Sequence, residues 1–498
     1  MVEVLYKSTR GTEKGITASS AILKGLSSDG GLFVPEVIPK LDIPVEELAK
    51  MSYQEVAFEV MSRFFTDFTE EELKSCIEKA YDSKFDTEKI APVRKADGKY
   101  YLELFHGATI AFKDMALQLL PYLMTVSAKK TAEGKTIVIL VATSGDTGKA
   151  ALEGFKDVDK TKILVFYPVD GVSPMQKLQM TTQEGENVAV CAIHGNFDDA
   201  QSAVKSIFTN DEIKAELAKK NMMFSSANSI NWGRLVPQIV YYFSAYADLC
   251  KMGQLQVGEP MNVVVPTGNF GNILAGYYAK HMGLPIQTMV CASNTNNVLT
   301  DFLKTGTYDR NRDFYATTSP SMDILISSNL ERLLYHMSGE SDAAVRGWMT
   351  QLAENGKYTV EPEVMAKIQN EFAAGYCDEA AVADTIHKTY TDQNYLCDTH
   401  TAVAVKVYRD YVAQTGDDLP TVIDSTASPY KFSKSVLTAV LEGNTPQLDE
   451  FDMVEELHRV TGAAVPAPLA ALKDKAVRFT QVCDRENMSQ MVFQLLNL

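Results

Sequence analysis

One lysine of this sequence follows a run of small and apolar residues, where an amine can be put to chemical use. Lys113 lies in HGATIAFKDMALQLL (106–120), directly after Phe112 and at the start of a predicted apolar helix whose first turn carries Asp114. A lysine buried in such surroundings is unfavourable unless its pKa falls or its amine is used covalently. The same pattern is also typical of a surface lysine at a helix start, so the neighbouring loops have to decide.

A glycine-containing loop favours the chemical reading of this lysine. The stretch VPTGNFGNILAGYYAK (265–280) predicts a strand that runs into Gly268, Asn269, Phe270, Gly271 and Asn272 and then into a helix. Successive backbone N–H groups and a helix N-terminus then face one point, which is a geometry that holds a phosphate. A purely structural turn is the alternative. The spacing differs from G-x-G-x-x-G, so a phosphate is better supported than a dinucleotide.

A second strand-to-helix turn, ATSGDTGKA (142–150), offers the hydroxyl groups of Thr143, Ser144 and Thr147 together with helix N–H groups. This combination is suited to a carboxylate or a second phosphate. The turn differs from a Walker A loop, which would need Gly at Thr143 and Ser or Thr at Ala150. The sequence therefore predicts an anion-binding turn without a nucleotide-binding P-loop.

The elements that must position these loops are visible as short apolar runs between amphipathic segments. Strands are predicted at 136–142, 162–167, 187–193, 261–265 and 286–292, and helices between them at 147–155, 198–208, 234–252 and 272–281. This alternation indicates an α/β fold with doubly wound, mainly parallel sheets, whose active sites lie at the carboxyl ends of the strands.

Three regions are predicted along the chain. Residues 1–97 form a mainly helical N-terminal domain with helices at 45–63 and 70–81. Residues 98–445 form the α/β core in two subdomains, with an insertion at about 297–420. Residues 446–498, which begin just after Asn444-Thr445, form a small helical tail.

Composition excludes several classes of function. The 64 acidic and 47 basic residues give a net charge of −17, which opposes docking on nucleic acid or on an anionic membrane. No apolar run approaches a membrane span, and the opening residues lack a signal-peptide core, so a cytoplasmic location is expected. The seven cysteines form no Cys-x-x-Cys pair and the seven histidines form no H-E-x-x-H pair, so no metal site is predicted.

Five motifs in chain order, HGATIAFKD, VATSGDTGKAAL, SSANSINWGRLVPQ, PTGNFGN and STASPYKFS, resemble those of the threonine synthase family, pyridoxal-phosphate enzymes of fold type II. The opening STRGTEKGITASSAILKGLSSDGGLFVPE resembles the N-terminal domain of that family. The similarity covers most of the chain and is weakest at 300–400 and in the tail. The chain order also supports the resemblance to fold type II, because Lys113 precedes the 268–272 loop.

The resemblance assigns roles to individual residues. It implies that Lys113 binds pyridoxal 5'-phosphate covalently and acts as the catalytic base, and that the 268–272 loop wraps the cofactor phosphate. It implies that Thr426, in IDSTASPYKFSKS (423–435), hydrogen-bonds the pyridine nitrogen. A capping threonine before a helix is the structural alternative for Thr426.

The stretch SSANSINWGR (225–234) supplies a predicted substrate site. Asn228 and Asn231 offer amides, and Arg234 offers a guanidinium suited to a phosphate or a carboxylate. With Thr143, Ser144 and Thr147 they are the expected substrate-binding residues. The stretch DTHTAVAVKVY (398–408) resembles a family segment that carries a histidine near the cofactor, but a lone histidine beside an apolar helix is more often structural than a base, so the role of His400 is left open. Ser319, Ser321 and Asp323 are interpreted as helix caps.

The implied reaction converts O-phospho-L-homoserine and water into L-threonine and phosphate, by γ-elimination and β-addition of water. A sister fold type II enzyme, such as a serine or threonine dehydratase, is the alternative, and Arg234 would then lack a purpose. A non-catalytic anion-binding protein of the same fold is a third hypothesis, against which the intact Lys113 argues. The small-molecule substrate is the expected partner, and the chain is expected to be a monomer or a homodimer.

Overall fold

The computed structural model of the protein describes residues 3–96, 98–143, 145–170 and 172–498. The strands in this part of the chain are β1 (Tyr6–Ser8), β2 (Phe33–Pro35), β3 (Val93–Ala96), β4 (Lys99–Glu103), β5 (Thr136–Ala142), β6 (Thr161–Pro168), β7 (Val188–His194), β8 (Met222–Ser225), β9 (Met261–Pro266), β10 (Ile286–Ser293), β11 (Thr307–Asp309), β12 (Lys357–Thr359), β13 (Phe372–Tyr376), β14 (Thr421–Ser425) and β15 (Val482–Asp484).

The helices of the same residues connect and cover these strands. They are α1 (Ala18–Lys24), α2 (Val45–Leu48), α3 (Tyr53–Phe64), α4 (Glu70–Ala80), α5 (Asp114–Leu117), α6 (Leu120–Thr131), α7 (Asp146–Phe155), α8 (Pro174–Thr181), α9 (Phe197–Thr209), α10 (Asp211–Lys219), α11 (Trp232–Lys251), α12 (Gly271–Met282), α13 (Val298–Thr305), α14 (Leu330–Met337), α15 (Asp342–Asn355), α16 (Pro362–Glu371), α17 (Glu379–Gln393), α18 (Thr399–Thr415), α19 (Ser433–Val440), α20 (Glu450–Thr461), α21 (Ala467–Ala470) and α22 (Met488–Leu496). Short 3₁₀ turns cover Pro320–Met322, Pro429–Phe432, Ala471–Asp474 and Arg485–Asn487.

Two sheets carry the core. The first has the order β13-β10-β9-β14-β4-β3 and is parallel except for the antiparallel β3–β4 pair. The second, β15-β7-β6-β5-β8, is parallel throughout. The two remaining pairs, β1–β2 and β11–β12, are small antiparallel ribbons. The predicted α/β class with mainly parallel sheets is confirmed.

The apolar runs form strands because both faces of each sheet are covered. Ile137, Ile139 and Val141 of β5 point into the large core, while Val138 and Leu140 point into a separate core beneath α9 and α22. Alternate residues of a strand face opposite sides, so a run such as TIVILVA must be apolar at every position. The five predicted strands match β5, β6, β7, β9 and β10.

The N-terminal region is helical as predicted, with one difference. The segment predicted as a single helix at 45–63 is two helices, because Ser52 caps α3: its hydroxyl accepts the Glu55 N–H, and the Glu55 carboxylate accepts the Ser52 N–H. The predicted helix at 70–81 is α4, which begins with the same kind of cap at Thr69.

Strands cross the predicted domain limits. β3 and β4 pair on either side of the limit at residue 97, which is itself outside the described residues. β13 lies inside the predicted insertion, yet it pairs with β10 at the end of the first sheet. β15 lies in the predicted helical tail, yet it pairs with β7. Each was missed because a three- to five-residue strand has too little periodicity to be recognised. The division into three regions stays a prediction.

No helix in the described part of the chain has the length and apolar character needed to cross a bilayer.

Candidate functional site

A cleft with an empty volume of about 230 Å³ opens where the two sheets present the carboxyl ends of their strands. From the first sheet, the adjacent strands β4, β14 and β9 end before Lys113, Thr426 and Gly268. From the second, the adjacent strands β5 and β8 end before Asp146 and Arg234. The cleft is lined by Ala111, Phe112, Lys113, Asp146, Ser321, His400, Thr426, Ala427, Lys431 and Phe432.

The loop that carries Lys113 is tied to the loop that carries Thr426. The Phe112 N–H donates to the Thr426 carbonyl at 2.8 Å, and the Ser428 N–H donates to the Ile110 carbonyl at 3.0 Å. These two bonds set the predicted lysine and the predicted threonine side by side, although more than 300 residues of sequence separate them.

Asp114 holds the lysine loop from behind. Its carboxylate accepts the Thr109 N–H and the Thr109 hydroxyl, both at 2.7 Å. Complete burial raises the pKa of Asp114 to about 6 against the effect of these bonds. Gly107 allows this packing, since a Cβ there would lie 2.6 Å from a carboxylate oxygen of Asp114. The first turn of α5 is therefore fixed by its own preceding loop.

The Lys113 amine lies among several charged groups. Burial is the largest influence, and with the nearby charges of Lys431 and Arg234 it lowers the pKa of Lys113 to about 8, against the opposing carboxylates of Asp146 and Asp114. The amine donates to the Ser321 hydroxyl at 3.0 Å. A lysine with this pKa is available as a neutral amine near neutral pH, as nucleophilic or general-base chemistry requires.

Asp146 is a site residue for which the motif analysis gave no role. It opens α7, and one carboxylate oxygen lies 3.4 Å from the Lys431 amine and accepts the Gln176 side-chain amide at 3.2 Å. Burial opposes its ionisation, but the charges of Lys431 and Lys113 outweigh that effect and lower the pKa of Asp146 to about 2. Asp146 is therefore a fixed negative charge inside a basic cleft.

Lys431 is the second lysine of the cleft and was also missed. Its amine donates to the Thr109 carbonyl at 3.0 Å, and its side chain is 4% exposed. Lys431 lies within the turn Pro429–Phe432, inside the STASPYKFS motif. The motif was recognised from the sequence, but the contacts of Lys431 with Asp146 and Thr109 are visible only in the structure.

Thr426 lies in the cleft as predicted. It is buried, and its hydroxyl makes no hydrogen bond with any described residue, although its carbonyl accepts the Phe112 N–H. Since a buried hydroxyl group normally has a partner, this one is free to bond a ligand. The structural alternative, a threonine that caps the following helix, is not realised: Ser428 is the residue whose hydroxyl caps that turn.

The glycine loop adopts the predicted strand-turn-helix shape, and the left-handed residue in it is Phe270. Phe270 has φ +64° and directly precedes α12, whereas Gly268 and Gly271 are not in the left-handed region. Gly268 is needed for space: a Cβ there would lie 2.6 Å from the Ser321 carbonyl oxygen. This contact places the loop beside the segment that touches Lys113.

Neither Asn269 nor Asn272 is among the residues that line the cleft. The Asn269 carbonyl accepts the Asn329 N–H at 3.0 Å. The Asn272 side-chain oxygen accepts the hydroxyls of Tyr241 and Tyr242, at 2.5 and 2.7 Å, in a buried network that continues to Asp424. The side-chain oxygen is used by this network, whereas the amide nitrogen of Asn272 is buried with no hydrogen-bond partner among the described residues. Its contact with a phosphate therefore stays a prediction.

Arg234 is buried near the start of α11. Its side chain donates to the Ala227 carbonyl at 2.9 Å and has no carboxylate partner among the described residues. Burial lowers the pKa of Arg234 to about 10, and its charge reaches Lys113. A buried guanidinium with unused donors is a candidate anion-binding group.

Of the two neighbouring asparagines, Asn231 has a structural role instead of the predicted substrate role. Asn231 is the N-cap of α11: its oxygen accepts the Gly233 N–H, and its amide donates to the carbonyls of Ile22 and Ser226. These bonds use the whole side chain, so its assignment to the substrate is wrong and its role is structural. Asn228 is exposed, and like Arg234 it is not among the cleft-lining residues, so its substrate role stays a prediction.

The second turn is partly structural as well. The Thr143 hydroxyl accepts the N–H groups of Gly145 and Gly148 at 3.0 and 2.9 Å, so its oxygen holds the start of α7. These bonds use the lone pairs of the oxygen and leave the hydroxyl hydrogen, so the contact of Thr143 with a bound anion stays a prediction. Thr147 lies in the first turn of α7 and stays a prediction. Ser144 lies outside the described residues.

Comparison with known protein families gives matches over nearly the whole chain. A model described as "Threonine synthase N terminus" matches residues 5–81, one described as "Pyridoxal-phosphate dependent enzyme" matches 94–370, and one described as "Threonine synthase, C-terminal" matches 401–492. The middle match contains Lys113 and the glycine loop.

Curated relatives include proteins of two names. Human threonine synthase-like 1 is 42% identical over 434 residues, which cover 85% of this chain and 58% of that protein. The chain thus spans about three fifths of the threonine synthase-like 1 protein that it matches. The threonine synthase of Pseudomonas aeruginosa is 38% identical over 479 residues, covering 94% of this chain and 97% of that protein.

Solved structures agree with these relatives. Threonine synthase from Brucella melitensis, described as bound to PLP, has a TM-score of 0.88 at 37% identity, and the yeast threonine synthase has 0.87 at 33%; in each case 99% of both chains is covered. These matches confirm the fold type II architecture and the pyridoxal-phosphate cofactor predicted from the motifs. This chain belongs to the threonine synthase family of pyridoxal-phosphate-dependent enzymes.

Proposed function

We propose that the protein converts O-phospho-L-homoserine and water into L-threonine and phosphate, with pyridoxal 5'-phosphate as cofactor. The observation that carries this proposal is Arg234, a buried guanidinium without a carboxylate partner in the described chain, whose charge reaches the Lys113 amine. A substrate that brings its own phosphate supplies the missing negative charge.

The donor set of the cleft fits the cofactor. Lys113 provides a primary amine of lowered pKa for its aldehyde, and Thr426 provides an unpartnered hydroxyl beside that amine. The loop from Gly268 to Phe270, followed by the N-terminus of α12, provides backbone N–H groups for a phosphate. We therefore assign covalent attachment to Lys113, the ring nitrogen to Thr426 and the phosphate to the 268–272 loop.

Pyridoxal phosphate, when bound, supplies an electron sink for negative charge that develops at the substrate carbons. The residues of this chain do the rest. Lys113, as a neutral amine, takes up and returns protons at the α, β and γ carbons. Arg234 binds the substrate phosphate, and Asp146 holds the Lys431 side chain through an ion pair at 3.4 Å. In the net reaction phosphate leaves the γ carbon and water adds at the β carbon.

The neutral hydroxyl of Thr426 has a chemical consequence for the assigned ring contact. An acidic residue there would favour protonation of the ring nitrogen, whereas a hydroxyl does not. The Thr426 hydroxyl would therefore hold the ring nitrogen by a hydrogen bond without supplying a negative charge.

A dehydratase acting on serine or threonine would use the same lysine and the same phosphate loop. Such a substrate carries no phosphate, and the unpaired Arg234 would remain buried without an anion. The family name alone does not separate these reactions, because relatives called threonine synthase-like 1 are among the matches. The substrate has to be tested directly.

The test is to supply the purified, cofactor-loaded protein with O-phospho-L-homoserine and to measure phosphate release while identifying the amino acid formed. Serine and threonine are supplied in parallel reactions. We expect phosphate and L-threonine in equal amounts, with little 2-oxo acid from either competitor. Formation of 2-oxo acids from serine or threonine without phosphate-dependent threonine formation would contradict the proposal and support the dehydratase. A monomer or homodimer in the cytoplasm stays a prediction.

A further inference from the structure

We propose that Ser321 is a further catalytic residue of this site, which holds the Lys113 amine in its working orientation and is itself positioned by the pair Asp398 and His400. This inference rests on the proposed function, in which Lys113 is the base. From the sequence alone, Ser321 is interpreted as a helix cap and His400 has no assigned role.

The first step is the contact itself. The Lys113 amine donates to the Ser321 hydroxyl at 3.0 Å, and both residues line the cleft. A neutral amine has two N–H groups and one lone pair, so fixing one N–H restricts the directions in which the lone pair points. A hydroxyl that accepts from the amine is therefore placed to aim the base.

The second step is the support of Ser321 from α18. The Ser321 backbone N–H donates to His400 Nε2 at 3.2 Å. His400 Nδ1 lies 2.8 Å from the Asp398 carboxylate, which accepts the proton on that nitrogen. The carboxylate thereby leaves Nε2 with its lone pair free to accept from Ser321.

Asp398 is rigid for reasons of its own. It is the N-cap of α18 and accepts the backbone N–H groups of His400 and Thr401 at 2.9 and 3.1 Å, in addition to the Thr401 hydroxyl. It is fully buried. Fixed in this way, it sets the position of the His400 ring and, through the ring, that of Ser321.

The third step is support from the opposite side. The Ser321 carbonyl oxygen packs against Gly268, where a Cβ would lie only 2.6 Å away. Ser319, in the same turn, accepts a hydrogen bond from the Asn294 side chain at 3.0 Å. The Ser321 segment is thus clamped between the phosphate loop and α18, and it couples both to the lysine.

Any titration of Lys113 depends on all the charged groups around it. Those that act on it are Asp146 from α7, Lys431 from the Pro429 turn, Arg234 from α11 and Asp114 from its own helix, with the His400 ring behind Ser321. Removing the Ser321 hydroxyl leaves each of these in place. If the titration of Lys113 changes when the Ser321 hydroxyl is removed, the change therefore measures the effect of that hydroxyl on the Lys113 amine.

The first test uses the full-length chain prepared without cofactor. The rate at which Lys113 reacts with a trace of acetic anhydride is measured against pH, by mass spectrometry of the Lys113 peptide, in the wild type and in Ser321→Ala. A hydroxyl that accepts from the ammonium stabilises the charged form, so Ser321→Ala should move the titration of Lys113 to lower pH. Ser328→Ala, in the same loop with no side-chain hydrogen bond to a described residue, should not.

The second test uses the cofactor-loaded protein. Ser321→Ala should lower kcat by about tenfold or more while KM for O-phospho-L-homoserine stays near the wild-type value, since the Ser321 hydroxyl contacts the Lys113 amine and Arg234 is the group assigned to the substrate phosphate. His400→Ala should show part of the same loss. His400→Gln should recover some of it, because its amide oxygen can accept from Ser321.

The proposal is overturned if Ser321→Ala leaves the Lys113 titration where it is in the wild type, or if Ser328→Ala shifts it equally. It is also overturned if Ser321→Ala keeps wild-type kcat. A wild-type protein that makes no threonine contradicts the proposed function instead, and the titration in the cofactor-free chain then still decides whether Ser321 holds Lys113.

Discussion

Arg234 and Arg332 are both buried guanidinium groups, and their partners set them apart. Arg332 donates to the carbonyls of Phe33 and Ile230 and to the Asn329 side chain. Among the described residues, Arg234 donates to a single carbonyl, that of Ala227. Arg332 therefore has a structural role, while Arg234 keeps N–H donors that can bind a ligand.

Substitution should separate these two roles. Arg234→Leu should raise KM for O-phospho-L-homoserine by about 10- to 100-fold, the loss of one charge-assisted contact, with a smaller change in cofactor affinity. Arg332→Leu should instead lower the free energy of unfolding by about 3 kcal/mol, because it leaves three acceptors unpaired. Steady-state kinetics and denaturant unfolding of both variants check this, and equal effects of Arg234→Leu on substrate and cofactor would contradict it.

Asp146 should control the pH at which Lys113 becomes reactive. Lys113 attacks an aldehyde only as the neutral amine, so covalent uptake of pyridoxal phosphate by the cofactor-free chain should accelerate as the pH rises through about 8 and level off above it. Asp146 raises the pKa of Lys113. Asp146→Asn should therefore move the rise to lower pH.

The control for this variant is Asp159→Asn, the same change at an exposed position. Because the pKa of Asp146 is about 2, Asp146 stays ionised across the whole profile and does not itself produce the rise. Stopped-flow absorbance gives the rate of cofactor uptake as a function of pH for each variant. A range of about pH 6–10 is suitable for a lysine of lowered pKa. Superimposable curves for wild type and Asp146→Asn would contradict this role.

At the level of residues, the sequence identified the site residues that lie in recognisable local motifs. Lys113 and Thr426 lie in motifs with a recognisable order, and both line the cleft. Ser321 could not be recognised as a site residue, because its proposed role depends on a contact with Lys113, which is 208 positions away in the sequence. Asn231 was misassigned since a side-chain amide before a helix fits both a ligand site and a cap, and only the backbone around it decides.

At the level of elements, the turn between β9 and α12 has two glycines with different requirements. Gly268→Ala places a Cβ 2.6 Å from the Ser321 carbonyl oxygen, whereas Gly271→Ala meets nothing closer than 3.5 Å. Displacing packed backbone costs about 1–3 kcal/mol. Gly268→Ala should therefore weaken cofactor binding by about 10- to 100-fold, and Gly271→Ala should change it little.

Equilibrium titration with pyridoxal phosphate measures both affinities. The two variants differ by the same methyl group in the same loop, so each is the control for the other. Equal cofactor affinities in Gly268→Ala and Gly271→Ala would contradict the view that the close approach of Gly268 to Ser321 shapes the cradle.

Helices and strands were predictable where the residue pattern of a single segment determines its structure. β5 is recognisable from TIVILVA, because a strand covered on both faces must be apolar throughout. β13 and β15 are short, and only their pairing with β10 and β7 makes them strands. The break between α2 and α3 was missed because a capping serine inside an amphipathic run changes the pattern by a single residue.

At the scale of the whole molecule, the C-terminal residues are part of the second sheet. β15 extends that sheet beside β7, and α22 buries Met488, Val492 and Leu496 in the core that it shares with α9. Arg478 ties the preceding chain to the carbonyls of Gln183 and Gly185 at 2.8 and 3.0 Å. The tail is therefore a structural component of the sheet.

Deleting residues 477–498 should destabilise the protein strongly. Three buried apolar side chains contribute about 1.5–3 kcal/mol each, and the deletion also uncovers the apolar residues beneath them and the edge of β7. We expect a lower Tm and loss of soluble protein. Deleting the exposed residues 497–498 should leave Tm near the wild-type value. An unchanged Tm in the longer deletion would contradict the assignment of the tail to the core.

The central claim is that Lys113 is the residue that holds the cofactor, in a cleft that also contains Lys431. The most direct measurement reduces the cofactor-loaded protein with borohydride, digests it and locates the pyridoxyl group by mass spectrometry. The structure predicts the label on Lys113, and Lys113→Ala should carry none and lose turnover. A label on Lys431 or on another lysine, or full activity in Lys113→Ala, would contradict the account.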